Sequence, residues 1–217
     1  MGGAIPKQYL PLRRRTVIEY AMRPLCNHPR MRGVVVAIAS DDQWWTGLAL
    51  DFSLKPITVI GGGQRRHSVL NGLVALSDIA TADDWVLVHD AARPCLRTAD
   101  VDRLLETLQD HPVGGLLGIP VTDTVKRAHK NGTVVETVDR TGLWRAMTPQ
   151  MFRIGALRTA LENAIAKGYP VTDEAGAMEY TGQRPVIIEG HADNIKITRS
   201  HDLALAELYL KQQLADT

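Results

Sequence analysis

Short apolar runs, each about the length of one strand, return along this chain at intervals filled by amphipathic segments. That alternation restricts the fold more than any single motif. Residues 33–39, 56–60, 85–89 and 115–119 read as strands, with helices predicted at 16–27, 64–77 and 98–109. Pro24 should kink or shorten the first helix. Thr98 is the expected N-cap of the third, with Asp100 and Asp102 in its first turn. The pattern is that of an α/β fold with a mostly parallel sheet flanked by helices. At 217 residues with 45% hydrophobic content the chain is expected to bury one core as a single domain.

Beyond Pro120 the rhythm breaks. Residues 124–130 and 133–138 read as two strands around Asn131-Gly132, a dipeptide that predicts a type I′ hairpin turn. Lys126, Arg127, His129 and Lys130 make this hairpin basic, and neither face is fully apolar. It is therefore expected to project from the sheet as an arm, spanning 121–147, onto another subunit. The alternation then resumes with helices at 154–167 and 173–180, strands at 185–189 and 194–198, and a terminal helix at 200–214. No internal repeat interrupts it.

A net charge of +1 argues against a general nucleic-acid or membrane surface as partner. Cys26 and Cys95 cannot build a disulfide framework, and no Cys/His cluster has zinc spacing. Without a signal peptide or a bilayer-length apolar run, a cytoplasmic protein is expected.

The chemistry concentrates where strands end. Trp85-Val-Leu-Val-His-Asp-Ala-Ala-Arg-Pro94 is an apolar strand that stops in Asp90 and Arg93. Ligands of open α/β sheets sit beyond the carboxyl ends of strands. A carboxylate and a guanidinium there suit a metal-bound phosphate, or else form an ion pair that only closes a turn. Gly61-Gly62-Gly63-Gln64-Arg65-Arg66-His67-Ser68 follows a strand and opens a helix, so backbone can approach a ligand closely and free N–H groups face it. It is neither a Walker loop nor a dinucleotide fingerprint. Lys7 precedes the first helix, and Arg140 lies at the root of the hairpin. Lys196 alternates with Ile195 and Ile197, which sends it away from the core. Thr172 reads first as a helix cap. With no Ser-His-Asp or Cys-His arrangement apparent, the set favours phosphate chemistry over nucleophilic catalysis.

Seven blocks together resemble the 2-C-methyl-D-erythritol 4-phosphate cytidylyltransferase family of the non-mevalonate isoprenoid pathway. They are Pro6-Lys7-Gln8-Tyr9, the run 62–69, Val88-His89-Asp90-Ala91-Ala92-Arg93-Pro94, Thr137-Val138-Asp139-Arg140, Thr148-Pro149-Gln150, Thr172-Asp173-Glu174-Ala175 and the run 192–196. The resemblance implies a Rossmann-like nucleotidyltransferase that joins CTP to methylerythritol phosphate, uses Mg²⁺ and releases pyrophosphate. It implies that Lys7 binds CTP and steadies charge on the α-phosphate, with Arg140 and Lys196 as further catalytic cations. Gly62, Gly63 and Ser68 would line the cytosine pocket. Asp90 would serve CTP, acceptor and metal. Arg93, Thr148, Thr172 and Lys196 would hold the acceptor, joined by Thr124 and Arg140 from a partner's arm in a homodimer. A related cytidylyltransferase for ribitol 5-phosphate or another polyol phosphate is the alternative, as is an inactive dimeric binding protein.

One departure stands out. The family pattern opens with a strand and a glycine-rich loop, roughly Pro-Ala-Ala-Gly-x-Gly-x-Arg-Met, where this chain has only Met1-Gly2-Gly3-Ala4-Ile5 before Pro6, Met1 matching the motif's last residue. A mis-assigned start or a truncation is the expected reason. The neighbours of that strand are then expected to show open edges, and CTP binding to be severely weakened.

Overall fold

The computed structural model describes residues 5–215; Met1–Ala4, and with them the proposed match of Met1, lie outside that range. A short 3₁₀ turn (Lys7–Tyr9) and two-residue strands β1 (Pro11–Leu12) and β2 (Arg15–Thr16) lead into α1 (Val17–Cys26). Thr16 caps α1 through a capping box with Glu19, whose carboxylate accepts from the Thr16 N–H at 2.8 Å. The helix stops two residues past Pro24. Then come β3 (Val35–Ile38), β4 (Ile57–Ile60), α2 (Arg65–Leu76), β5 (Trp85–Val88), α3 (Thr98–Leu108) and β6 (Gly114–Pro120). After them follow β7 (Val125–Ala128), β8 (Val134–Val138), β9 (Trp144–Arg153), α4 (Ile154–Ala166), α5 (Glu174–Tyr180), β10 (Val186–Glu189) and α6 (His201–Ala215).

The main sheet has four strands in the order β10-β6-β9-β5. β10 and β6 are parallel, and β9 runs antiparallel to both β6 and β5, so β5, β6 and β10 share one direction. Side-chain alternation assigns neighbours to opposite faces. Leu117 and Met151 pack with Val101, Leu104 and Leu108 of α3, while Leu116 and Phe152 pack with Leu73 of α2, Leu157 and Leu161 of α4 and Met178 of α5. The result is a helix–sheet–helix sandwich, the expected α/β layering.

β3 and β4 pair in parallel as a separate sheet. Among the described residues β3 pairs only with β4, and β5 only with β9. An apolar cleft of about 560 Å³ runs between them, lined by Val35, Val36, Trp85, Val86 and Leu87. The open edges expected from the sequence are present on both sides of it.

Four local expectations need correction. The hairpin forms, as a two-stranded sheet of its own, but its turn is not type I′. That turn needs two left-handed residues, and only Gly132 (φ +86°) has the conformation there. Instead the Gly132 N–H donates to the His129 carbonyl and the His129 N–H to the Thr133 carbonyl, a longer loop with a register shift at Arg127/Ala128. The N-cap of α3 is Arg97 rather than Thr98, and Asp100 is fully buried against His191. The segment 194–198 forms no strand, because a turn at Ala192–Asp193 precedes it and the Ile197 N–H is taken by the Ala92 carbonyl. The cap of α5 is Asp173, whose carboxylate accepts from the Gly176 N–H at 3.0 Å, so Thr172 is exposed and not needed for capping.

Candidate active site

β5 is an apolar, partly buried strand that carries no charge until it ends, and its chain then turns through Asp90 and Arg93. The turn is rigid for a chemical reason. The buried Thr148, beside the cis Thr148-Pro149 peptide, accepts the Asp90 N–H at 3.0 Å and meets His89 Nδ1 at 3.0 Å. The other ring nitrogen of His89, Nε2, lies 3.1 Å from the Arg93 carbonyl. The one arrangement that satisfies every group has Nε2–H donating to that carbonyl and the Thr148 hydroxyl donating to Nδ1, so the imidazole is neutral. Burial drives its pKa down to about 4.

This has a measurable consequence. A histidine with a depressed folded-state pKa contributes stability above its unfolded value, near 6.5, and loses it as pH falls towards the folded one. Unfolding free energy is expected to drop by about 2–3 kcal/mol between pH 7 and pH 4.5, with His89→Gln removing most of that slope. Urea denaturation at the two pH values reads it; an equal slope in the variant would assign the loss to other groups.

In front of this turn the charges converge. Asp90 Oδ2 meets Lys196 Nζ at 2.8 Å and Arg93 Nε at 3.7 Å, while Oδ1 accepts from Arg65 Nε at 3.0 Å. Burial alone would lift the Asp90 carboxyl; the charge of Arg65 and the bond from Lys196 outweigh it and hold Asp90 well below the usual carboxylate range. Arg93 also donates to the Asn194 carbonyl at 2.7 Å, and Asn194 donates to the Thr148 carbonyl at 2.8 Å. The segment carrying Lys196 is thus tied to the turn carrying Asp90.

Gly61–Gly63 lies beside this cluster, between β4 and α2. The Gly62 N–H donates to Ser68 Oγ at 3.0 Å, closing the loop over the first turn of α2. A Cβ at Gly62 would stand 2.2 Å from His67 Cβ, so only glycine fits; at Gly63 it would meet nothing within 4 Å. The loop and the carboxyl end of β3 line a pocket of about 450 Å³. Both it and the Asp90 cluster lie at carboxyl ends of strands, where α/β sheets bind ligands.

The structure therefore brings together Asp90, Arg93, Lys196 and, behind them, Thr148, with Gly62, Gly63 and Ser68 on the adjacent loop. Lys7 sits half-buried in the 3₁₀ turn. Thr124 and Arg140 lie on the exposed arm, where Arg140 donates to the Thr122 carbonyl. Thr172 precedes α5. Among the described residues no three His, Cys, Asp or Glu side chains cluster as a metal site, and no helix is long and apolar enough to cross a membrane.

Comparison with known proteins decides the family. The 2-C-methyl-D-erythritol 4-phosphate cytidylyltransferase (IspD) family matches residues 1–212. The chain belongs to this family. A cytidylyltransferase of that name from Pseudomonas aeruginosa is 54% identical over 199 residues, 91% of this chain and 85% of the relative. One from Hahella chejuensis is 49% identical over 98% of this chain and 88% of the relative. Among solved structures, a 4-diphosphocytidyl-2C-methyl-D-erythritol synthase superposes with TM-score 0.86 at 38% identity, covering 94% of this chain and 95% of the other. The Francisella tularensis IspD structure superposes with TM-score 0.85 at 36% identity, covering 95% and 94%.

Two residues of this IspD-family chain stand in the cluster although nothing local in the sequence singles them out: Arg65 and Glu174. Both lie inside family blocks, yet 109 positions separate them, and their bidentate pairing exists only in the fold.

Proposed function

We propose that the chain transfers the cytidylyl group of CTP to 2-C-methyl-D-erythritol 4-phosphate, giving 4-diphosphocytidyl-2-C-methyl-D-erythritol and pyrophosphate. The observation that carries this reading is the Asp90–Lys196–Arg93 cluster set beside a glycine-loop pocket at the carboxyl ends of the strands. An acceptor phosphate oxygen attacks the α-phosphorus, forming the new P–O bond as the bond to the bridging oxygen breaks and pyrophosphate departs with that electron pair. A phosphate is already a competent nucleophile, so the protein's task is to place two polyanions together and steady the charge between them. Gly62, Gly63 and Ser68 take the cytosine, whose amino and carbonyl edge suits backbone groups. Asp90 accepts acceptor hydroxyls, Arg93 and Lys196 hold the acceptor, and Thr172 completes that wall. Thr148, expected from the sequence to touch the acceptor, is instead buried with its hydroxyl engaged by His89 and the Asp90 N–H, and supports the turn from behind.

Mg²⁺ carried by the triphosphate needs few protein ligands. Asp90 is the carboxylate of the cluster suited to hold it, exchanging a cationic partner for the ion; Glu174 is buried and both its oxygens are taken by Arg65. The ion would neutralise the phosphates.

The test is pyrophosphate release with CTP, methylerythritol phosphate and Mg²⁺, with each omitted in turn and ribitol 5-phosphate as competing acceptor. Release that needs methylerythritol phosphate supports the reading. Preference for the competitor, or silence from folded protein, counts against it. Gly63→Ala gives a sharper check on the cytosine pocket. An added methyl meets no protein atom, so stability is expected to change by less than about 0.5 kcal/mol while KM for CTP rises roughly tenfold. An unchanged KM would place the base elsewhere.

The exposed arm supports a homodimer in which Thr124 and Arg140 reach the partner's acceptor. Val134 and Val135 are 57% and 51% exposed on it, apolar surface that a second subunit would cover. Mixing Lys7→Ala with Arg140→Ala chains then leaves one intact site in each hybrid dimer, or about a quarter of wild-type activity at equal mixing. Activity no greater than the two variants alone would keep each arm in its own subunit.

A further inference from the structure

We infer that Arg65, held from behind by Glu174, is a positioning residue that fixes the Asp90 carboxylate for the acceptor while tying the acceptor cluster to the glycine loop. The inference rests on the proposed reaction for its kinetic arm alone.

Arg65 is the first residue of α2, directly after the loop. Its fork grips Glu174 at 2.6 Å and 2.9 Å, and its Nε donates to Asp90 Oδ1 at 3.0 Å. Glu174 is 1% exposed, so it cannot touch a substrate; its role runs through Arg65. It is itself anchored, because α5 begins at Glu174 and the start of that helix is locked to β9. The Gln150 side chain donates to Asp173 at 2.9 Å and accepts from the Ala175 N–H at 2.8 Å. From β9 the constraint thus passes through α5 and Glu174 to Arg65, and so to one oxygen of Asp90. The other oxygen is left to Lys196.

Stability does not explain the arrangement. Burial lifts the Glu174 carboxyl against the pull of Arg65, and a buried ion pair is often no better for stability than apolar residues of the same volume. What the fork supplies is direction: it holds a guanidinium in one plane, which a lysine cannot do. Without Glu174 behind it, Arg65 has one third of its side-chain surface already exposed and is free to swing to solvent, leaving Asp90 to Lys196 and Arg93 alone.

Glu174→Gln and Arg65→Lys test this with two readouts. The first is structural. In crystal structures of both variants the side chain at position 65 is expected to leave Asp90 Oδ1, and the Asp90 carboxylate to turn out of its wild-type plane towards Lys196, with the backbone of the turn unchanged. The second is kinetic: KM for the acceptor is expected to rise roughly tenfold in both variants, with KM for CTP within about twofold. A displaced Asp90 carboxylate together with the acceptor-selective KM effect supports the inference. An Asp90 carboxylate that keeps its wild-type orientation in both variants overturns it, as does an equal loss for both substrates. If Glu174→Gln fails to fold, Arg65→Lys, which keeps the charge, carries the test. Wild-type protein silent in pyrophosphate release would defeat the proposed reaction, and the structural arm would still decide the role of Arg65.

Discussion

Lys7→Ala is expected to lower kcat about 10²–10³-fold, the scale of one preorganised electrostatic contact in a water-excluded site. The 3₁₀ turn that carries Lys7 is pinned two residues on. Tyr9 is buried, its hydroxyl donates to Asp42 at 2.7 Å, and its ring stacks on Trp44 at 5.8 Å. The backbone under Lys7 is therefore fixed, while among the described residues no hydrogen bond or ion pair takes its ammonium, as a cation kept for a developing phosphate charge requires. Because the side chain is only half-buried, its removal should change stability by less than about 1 kcal/mol, so the loss falls on the chemical step. Single-turnover kinetics with saturating CTP measures it. A fall below tenfold would remove Lys7 from the transition state.

Asp90→Asn should produce the largest combined loss. The Asp90 side chain is 12% exposed and serves as counter-charge to Lys196, Arg65 and Arg93. Asparagine keeps the shape but leaves three cations around a neutral amide, and removing one member of a buried pair costs about 3–5 kcal/mol. Lys196 can relax towards water, which places the expected loss at the lower end, about 3 kcal/mol in a denaturant titration. The same substitution removes the charged acceptor for substrate hydroxyls, so kcat/KM for methylerythritol phosphate is expected to fall roughly 10²-fold. Loss of the carboxylate suited to hold the triphosphate's Mg²⁺ should raise KM for CTP as well, by less than the acceptor effect because the added positive charge attracts the anionic triphosphate. Unchanged kinetics for both substrates in the folded variant would show that Asp90 serves only the architecture of the cleft.

Much of this was legible in the sequence because it is local. Apolar runs bounded by turn residues located most strands within a residue or two, and the amphipathic segments located the helices. But β9, the strand between β6 and β5, and the short β1 and β2 were not among the predicted strands, and 144–147, expected in the arm, belong to β9. Asp90, Arg93 and Lys196 were recognisable because each sits just past an apolar segment with no hydrophobic reason to be there. What escaped depends on partners far away in the chain. Alternation in Ile195-Lys196-Ile197 promised a strand, and the burial does alternate, but the backbone hydrogen bonds go to Ala92 instead of a neighbouring strand. Asn131-Gly132 signalled the hairpin correctly, yet the choice of turn was made by the register of the strands it joins. Arg65 looked like one of several charges in a basic helix start, and Glu174 like an ordinary first-turn acid. Only the packing of α2 against α4 and α5 reveals them as one unit.

The cleft between β3 and β5 bears on how the molecule behaves in company. Among the described residues each strand has no partner strand on the side facing this apolar slot, and such edges accept further strands from other chains as readily as from their own. Any extended segment laid there would join the two sheets into one continuous surface and lend its binding free energy to the folded state. If a segment binds there, the thermal midpoint is expected to rise with its concentration.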